Sequence, residues 1–306
     1  MPEVLRIATR GSALALAQTR QAAATLEERN PGFTFEIITF TTTGDRVTDR
    51  PLSHFRGEGV FVKEIEAALL AGEADLAVHS LKDVPVRRAD GLLLAAFPTR
   101  RTPFDCLITK TGSRFDELRR AAVVGTGSPR RVMQLRAARP DLVFGEVRGN
   151  LDTRLRKLDE GLFDGIVVAA AGMLRLNRQF DNAALLPADL CLPAAGQGCL
   201  AVECRERDER AKRIAATVDD AATRLEVGAE RDFLAIMGGG CHSPTAVYAA
   251  LQGGSLRLTG AVGDPESGAC VRATVNGAKR DSRSAGRALA NRMLELCDKS
   301  GIRIQP

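Results

Sequence analysis

Tryptophan is absent from this sequence, tyrosine occurs once, and aromatic residues make up 4% of the chain. So few flat rings leave little on which unpaired bases could stack, which argues against a single-stranded nucleic-acid binder. The seven cysteines, at 106, 191, 199, 204, 241, 270 and 297, are odd in number and include no CxxC pair. Neither a zinc site nor a disulfide framework is indicated, and no metal is expected. The longest uncharged apolar run, Gly165 to Leu174, is about half of what a bilayer crossing needs. Met1-Pro2-Glu3-Val4-Leu5-Arg6 has no apolar h-region, so no secretory signal is expected there. The expectation is a cytoplasmic protein in a reducing setting, with neither nucleic acid nor membrane as partner.

What is present is ordinary in amount and informative in place. At 306 residues, two or three domains are the natural reading. Hydrophobic residues at 44% and charged residues at 26% suit a globular chain, and the net charge of +5 is mild. Residues 4–9 predict a strand, followed by Arg10-Gly11-Ser12 and a helix over 13–29 with Ser12 as N-cap. A second strand is expected over 33–40, a polar, mobile loop over 41–59, and a helix over 60–70. Leu76-Ala77-Val78 predicts a buried strand that delivers His79-Ser80-Leu81-Lys82-Asp83-Val84-Pro85 at its carboxyl end. Strand alternating with helix implies parallel pairing, and ligands in such sheets sit beyond the strand carboxyl ends.

The pattern restarts after a hinge at 98–103. Strands are expected over 106–109, 122–124, 142–147 and 165–169, with a helix opened by Ser128-Pro129 and another that carries Arg154. Leu192-Pro193 to Gly198 reads as a second crossing, and a strand over 200–203 returns to the first lobe. A helix over 221–237, three antiparallel strands and a closing helix over 284–297 complete the chain. The fold class is therefore α/β: lobe 1 over 1–98 and 199–217, lobe 2 over 104–192, and a small C-terminal α/β domain with an antiparallel sheet over 221–306.

Three features bear chemistry. In Met237-Gly238-Gly239-Gly240-Cys241-His242-Ser243-Pro244, three glycines present a cysteine on a loop. Such a thiol is either a nucleophile able to form a stable covalent bond or a small hydrophobe in a tight turn. Arg10, Arg130, Arg131, Arg148, Arg154 and Arg175 lie at or near strand-to-helix junctions. Helix N-termini and arginine forks both bind anions, so these residues either line a polyanion cleft or are solvated surface charges. Asp83, beside Lys82, is the one acid embedded in this basic setting; it either stabilises a cation and relays a proton or caps its loop. His79 reads as structural, and His54 is uninformative.

Leu5-Arg6-Ile7-Ala8-Thr9-Arg10-Gly11-Ser12, Val78 to Pro85, Val147-Arg148-Gly149-Asn150 with Thr153-Arg154-Leu155, and Leu192-Pro193-Ala194-Ala195-Gly196-Gln197-Gly198 closely resemble the hydroxymethylbilane synthase (porphobilinogen deaminase) family. The resemblance runs from end to end, in the same order. It implies two lobes of the periplasmic-binding-protein kind, a C-terminal domain that presents the cysteine, and a transferase of tetrapyrrole (haem) biosynthesis. Four porphobilinogens are condensed head to tail with loss of ammonia on a covalent dipyrromethane, and hydrolysis releases hydroxymethylbilane. The resemblance assigns Cys241 as the covalent anchor and Asp83, Arg10 and Lys82 as catalytic. It gives Ser128, Arg130, Arg131, Arg148 and Lys82 to the cofactor, and Arg10, Ser12, Gln18, Phe61, Arg154 and Arg175 to the substrate. Three positions depart from the pattern: Gly127 stands where serine is common, Glu58 where lysine is frequent, and His242 where another polar residue follows the cysteine. They bear on substrate contacts and loop gating. A monomer is expected. The alternative reading is a two-lobed anion-binding module without catalysis, against which stand the missing signal and the domain that carries the cysteine.

Overall fold

In a computed structural model, residues 2–46, 59–178, 181–238 and 243–303 are described. The first strand, β1 (Glu3–Arg10), forms because Leu5, Ile7 and Ala8 have no exposed surface. Gly11-Ser12 turns the chain into α1 (Ala13–Arg29), where Ser12 Oγ accepts from the Ala15 N–H at 3.3 Å as the expected N-cap. β2 (Phe33–Phe40) pairs parallel with β1 along its whole length. A one-turn helix, α2 (Thr43–Arg46), interrupts the expected loop, and 47–58 lie outside the described residues. The expected helix over 60–70 starts later, as α3 (Lys63–Leu70), because residues 59–62 form a turn from Gly59, whose φ is +85°. β3 (Leu76–Ser80) takes in His79 and passes into a 3₁₀ turn, Leu81–Asp83; β4 (Leu92–Ala96) follows, a strand the sequence patterning does not mark.

The next stretch holds β5 (Asp105–Thr109), β6 (Val123–Gly125), α4 (Pro129–Ala138), β7 (Val143–Gly145), α5 (Leu151–Asp159), β8 (Gly165–Ala169), α6 (Ala170–Arg175) and β9 (Ala183–Leu185). The chain then returns as β10 (Leu200–Arg205) and α7 (Glu209–Ala216). It ends in α8 (Ala221–Met237), β11 (Thr245–Gln252), β12 (Ser255–Gly263), β13 (Cys270–Ala278) and α9 (Ser282–Ser300).

These strands make two five-stranded sheets, β2-β1-β3-β10-β4 and β7-β6-β8-β5-β9, and a three-stranded antiparallel sheet, β11-β12-β13. In the first, β1 is parallel to β2 and β3, while β10 is antiparallel to β3 and β4. In the second, β6 is parallel to β7 and β8, while β5 is antiparallel to β8 and β9. The two sheets therefore repeat one arrangement. The parallel pairing that strand–helix alternation implies holds among β1, β2 and β3 and among β6, β7 and β8, while β5 and β10 run antiparallel. Each enters its sheet from a crossing segment and not from a strand–helix–strand unit, so the rule that makes such units parallel does not bind it.

The chain divides into two compact units: Met1–Arg101 with Gly198–Leu225, and Thr102–Gln197 with Glu226–Pro306. The first is built on the β2-β1-β3-β10-β4 sheet, whose core holds Leu5, Ile7, Leu26, Leu76 and Val202. The second holds the other two sheets, and Met133 and Leu192 share a buried cluster there with Ala246 and Ala261 of the antiparallel sheet. That sheet packs α8 and α9 around Phe233, Leu258 and Leu289, none of them with exposed surface. Burying each such side chain contributes about 1.5–3 kcal/mol. Among the described residues no helix is long and apolar enough to cross a membrane.

Candidate functional site

The carboxyl ends of β1 and β3 bring the first set of residues together. Arg10 closes β1, and Lys82 and Asp83 lie on the 3₁₀ turn after β3. Arg10 Nη1 is 4.0 Å from Asp83 Oδ2, with both side chains about a quarter exposed. The Arg10 guanidinium also lies over the Phe61 ring, 4.1 Å from its centroid, a cation–π contact. Gln18 of α1 is buried and exchanges hydrogen bonds with Ser80: Nε2 donates to Ser80 Oγ at 2.9 Å, and Ser80 Oγ donates to Oε1 at 3.1 Å. Gln18 thus braces the strand end that delivers Lys82 and Asp83. Ser12 Oγ is engaged as the cap of α1.

Asp83 is not the only acid in this basic setting, as the sequence reading had it. Asp45 of α2 takes Arg10 side-on: Nε donates to Oδ2 at 3.1 Å and Nη2 to Oδ1 at 2.5 Å. Burial alone would raise the Asp45 carboxyl, but hydrogen bonds from Arg10 and Thr42 and the Arg10 charge hold it below its ordinary value. His79 is buried against Glu203, with Nε2 3.1 Å from Oε2, consistent with a structural role.

In the second unit, the junctions after β6, β7 and β8 carry the other arginines. Arg130 and Arg131 sit in the first turns of α4, behind Pro129, and both are buried. Ser128 occupies the N-cap position without a side-chain cap bond. The two guanidinium groups share one carboxylate, Asp105 of β5, at 2.9 Å from Arg130 Nη1 and 2.6 Å from Arg131 Nη2. Gln197 Nε2 adds a donor to Asp105 at 2.9 Å. Arg130 Nη1 also donates to the Leu192 carbonyl, and Arg131 Nη1 to that of Val167. Burial alone would push the Asp105 carboxyl up, but the two arginines hold it far below the usual carboxylate range. Arg130 is therefore turned inward, bracing the protein interior.

Arg131 differs in one atom, for its Nε is buried with no hydrogen-bond partner among the described residues. Arg154 of α5 donates from Nε to the Gly149 carbonyl at 2.9 Å, and no described carboxylate lies within ion-pair distance of it. Burial pushes its guanidinium down to about 10, and the Arg131 charge adds to the effect. It still carries its charge at neutral pH. An orphaned buried donor near an uncompensated cation is what a carboxylate-bearing ligand would satisfy, so these residues fit a dipyrromethane. Gly149 has φ +106°, and a Cβ there would lie 2.6 Å from Thr153 Cγ2, so this junction needs glycine. Asn150 Oδ1 caps α5 through Thr153 N at 2.9 Å. Arg148 is paired with Glu146 at 2.6 Å, and Arg175 is buried at the end of α6.

Cys241, His242, Glu58 and His54 lie outside the described residues. Of the other cysteines, five are buried and Cys270 is half-buried. Burial pushes the thiols of Cys106 and Cys191 up to about 12 and that of Cys204 up to about 11, which suppresses the thiolate. At Gly127 a Cβ would meet only ordinary contacts, 3.5 Å from the Val147 carbonyl oxygen. A surface depression of about 550 Å³ lined by Phe115, Arg139, Leu186 and Leu190 contains none of these site residues. Sequence reading missed Asp45 and Asp105. For Asp105 a signal existed, an acid heading the apolar strand Cys106-Leu107-Ile108. Asp45 sits in a polar stretch that offered none.

Comparisons with known proteins agree on a family. The profile described as porphobilinogen deaminase, dipyromethane cofactor binding domain, matches residues 5–213, and that of the porphobilinogen deaminase C-terminal domain matches 224–295. The chain is 46% identical over 291 residues to the porphobilinogen deaminase of Syntrophus aciditrophicus, covering 95% of each. It is 47% identical over 291 residues to that of Acidothermus cellulolyticus, covering 94% of this chain and 87% of that one. With that of Roseiflexus sp. it shares 45% over 301 residues, covering 98% of both. A periplasmic VFT2 domain of Bordetella pertussis BvgS is similar over 70% of this chain and 86% of that one, at 17% identity and a TM-score of 0.39.

Proposed function

The chain belongs to the porphobilinogen deaminase family, and on that premise we propose that Asp83, Arg10 and Lys82 carry its reaction on porphobilinogen. The family's activity is a transferase reaction of tetrapyrrole biosynthesis: four porphobilinogens are joined head to tail, ammonia is lost, and hydrolysis releases hydroxymethylbilane. The observation that carries the assignment is Asp83 at the carboxyl end of β3, with Arg10 Nη1 4.0 Å from its carboxylate. A carboxylate about a quarter exposed and flanked by cations faces the methylene-pyrrole cation formed as ammonia leaves. It stabilises that positive charge and accepts the proton shed by the pyrrole. Arg10, stacked on Phe61, keeps its position by two contacts and receives a substrate carboxylate. Ser12 and Gln18 order this end of the unit through the cap and the Ser80 bonds.

The dipyrromethane cofactor, joined to the Cys241 sulfur, supplies the primer on which the chain grows. In the second unit, Arg131 and Arg154 would hold its carboxylates or those of the substrate, with Arg148, Arg175 and Ser128 beside the same junctions. Arg130 acts from within, through Asp105. Division into lobes 1–98 with 199–217 and 104–192, and a C-terminal domain over 221–306, belongs to the same reading, as do a monomeric state and a cytoplasmic setting.

Protein purified from cells that make tetrapyrroles should carry a dipyrrole mass on Cys241, consume porphobilinogen and release ammonia. A chain without the adduct that binds porphobilinogen and leaves it intact would instead be an anion-binding module.

A further inference from the structure

One guanidinium in the first unit faces two carboxylates and is committed to one of them. Arg10 gives its Nε/Nη2 edge to Asp45, at 3.1 and 2.5 Å. Its remaining terminal nitrogen, Nη1, stops 4.0 Å from Asp83 Oδ2, beyond hydrogen-bond range. Asp45 is itself fixed. Thr42, with no exposed surface, donates from Oγ1 to Asp45 Oδ2 at 2.7 Å and from its N–H to the same oxygen at 3.4 Å. The Phe61 ring backs the guanidinium at 4.1 Å. Gly44, next to Asp45, permits that ring to approach, since a Cβ at 44 would lie 2.2 Å from Phe61 Cε1. The arrangement is built around the Arg10–Asp45 pair and not around the Arg10–Asp83 contact.

We propose that Asp45 is a positioning residue for the reaction: by holding the side edge of Arg10, it keeps that guanidinium from closing onto Asp83 and leaves the Asp83 carboxylate for the cationic substrate. A carboxylate bound bidentately by arginine has given lone pairs and field to that cation. It is correspondingly poorer at stabilising a second positive charge. With Asp45 gone, Arg10 keeps its stack on Phe61 and turns its fork to the nearest remaining carboxylate, Asp83. The inference rests on the reading that Asp83 acts on porphobilinogen.

The test compares wild-type holoenzyme with Asp45→Asn holoenzyme, which keeps the side chain's shape and loses its charge. For Asp45→Asn, kcat is expected to fall about tenfold or more, with KM changed less than about threefold. Asp45→Glu, which restores the charge, recovers most of the rate. On an Arg10→Leu background Asp45→Asn brings no further loss, because the effect runs through Arg10. A residue that served only stability would show neither the rescue nor the non-additivity. If Asp45→Asn yields no folded holoenzyme, the nearly isosteric Thr42→Val loosens Asp45 instead and lowers kcat by about two- to fivefold. The proposal is overturned by an unchanged kcat in Asp45→Asn, by a raised KM alone, by a full further loss on the Arg10→Leu background, or by wild-type rates in Thr42→Val. A wild-type chain that fails to consume porphobilinogen overturns the activity itself, so the two failures are distinct.

Discussion

Arg131 Nη2 donates to Asp105 Oδ1 at 2.6 Å, and the aspartate that accepts it has no exposed surface. Arg130 meets the other oxygen at 2.9 Å, so a single buried carboxylate compensates two buried cations. Removing one member of such a cluster strands the others. Asp105→Asn is expected to cost about 3–5 kcal/mol. Because folding depresses the Asp105 carboxyl, its stabilisation is complete above the unfolded value and is lost as pH falls through the folded one. The gap in thermal midpoint between wild type and Asp105→Asn should hold from neutral pH down to about pH 5 and shrink below about pH 4. Equal midpoints at neutral pH would sink the idea.

Cys241→Ser should give a folded protein without the dipyrrole adduct, since a hydroxyl is a poor nucleophile at neutral pH. Cys199 and Cys204 are buried, and the Cys204 thiol is pushed up to about 11, so neither is expected to substitute. Intact mass and peptide mapping read the outcome. An adduct on either of those residues overturns the assignment.

The arginines should separate by task. Arg148→Leu and Arg131→Leu are expected to block holoenzyme assembly, because a buried carboxylate without its partner costs several kcal/mol. Arg154→Leu, whose side chain has no described acidic partner, should still assemble and lose turnover. If Arg148→Leu assembles cofactor normally and turns over at the wild-type rate, the division fails.

Asp83→Asn keeps the shape and loses the charge. Cofactor should remain attached while turnover drops by about 10²–10⁴, the scale of a positioned electrostatic or acid–base group. Asp83→Glu, charged but displaced by a methylene, should retain more activity than Asn. Were Asp83 only a loop cap, both variants would lose about 1 kcal/mol of stability and Asn would be the better of the two. Rates and melts on the two purified proteins decide between these outcomes.

Gly149→Ala tests the junction before α5. With φ at +106° and Thr153 Cγ2 at 2.6 Å from the new Cβ, the loop must shift. A loss of about 1–3 kcal/mol is expected, together with reduced activity, as the Gly149 carbonyl that holds Arg154 moves. Calorimetry showing no change would mean that this backbone is freer than its geometry implies.

The sequence by itself determined most of the elements, though not β4 or α7, because the causes of the others are local. Short apolar runs gave β1 and β8, Ser12 gave the start of α1, and Pro129 gave the start of α4. The motifs around Arg10, Asp83, Arg148 and Gln197 likewise carried the family on their own. Pairing direction was less legible. β5 and β10 lie antiparallel because their connections cross between sheets, and nothing within a strand's own residues records that.

Charge pairing was the least legible, since it links positions distant in sequence. Arg10 and Asp45 are 35 residues apart, and Arg131 and Asp105 are 26 apart. Composition shows only that acids and bases are nearly balanced. Which carboxylate meets which guanidinium depends on how the strand ends are brought together, and burial then fixes the choice, because an ion removed from water must find a partner or be neutralised. For that reason the partners of Arg130, which by sequence context is no different from the other junction arginines, are decided by tertiary structure alone: its charge meets Asp105 and the Leu192 carbonyl inside the protein.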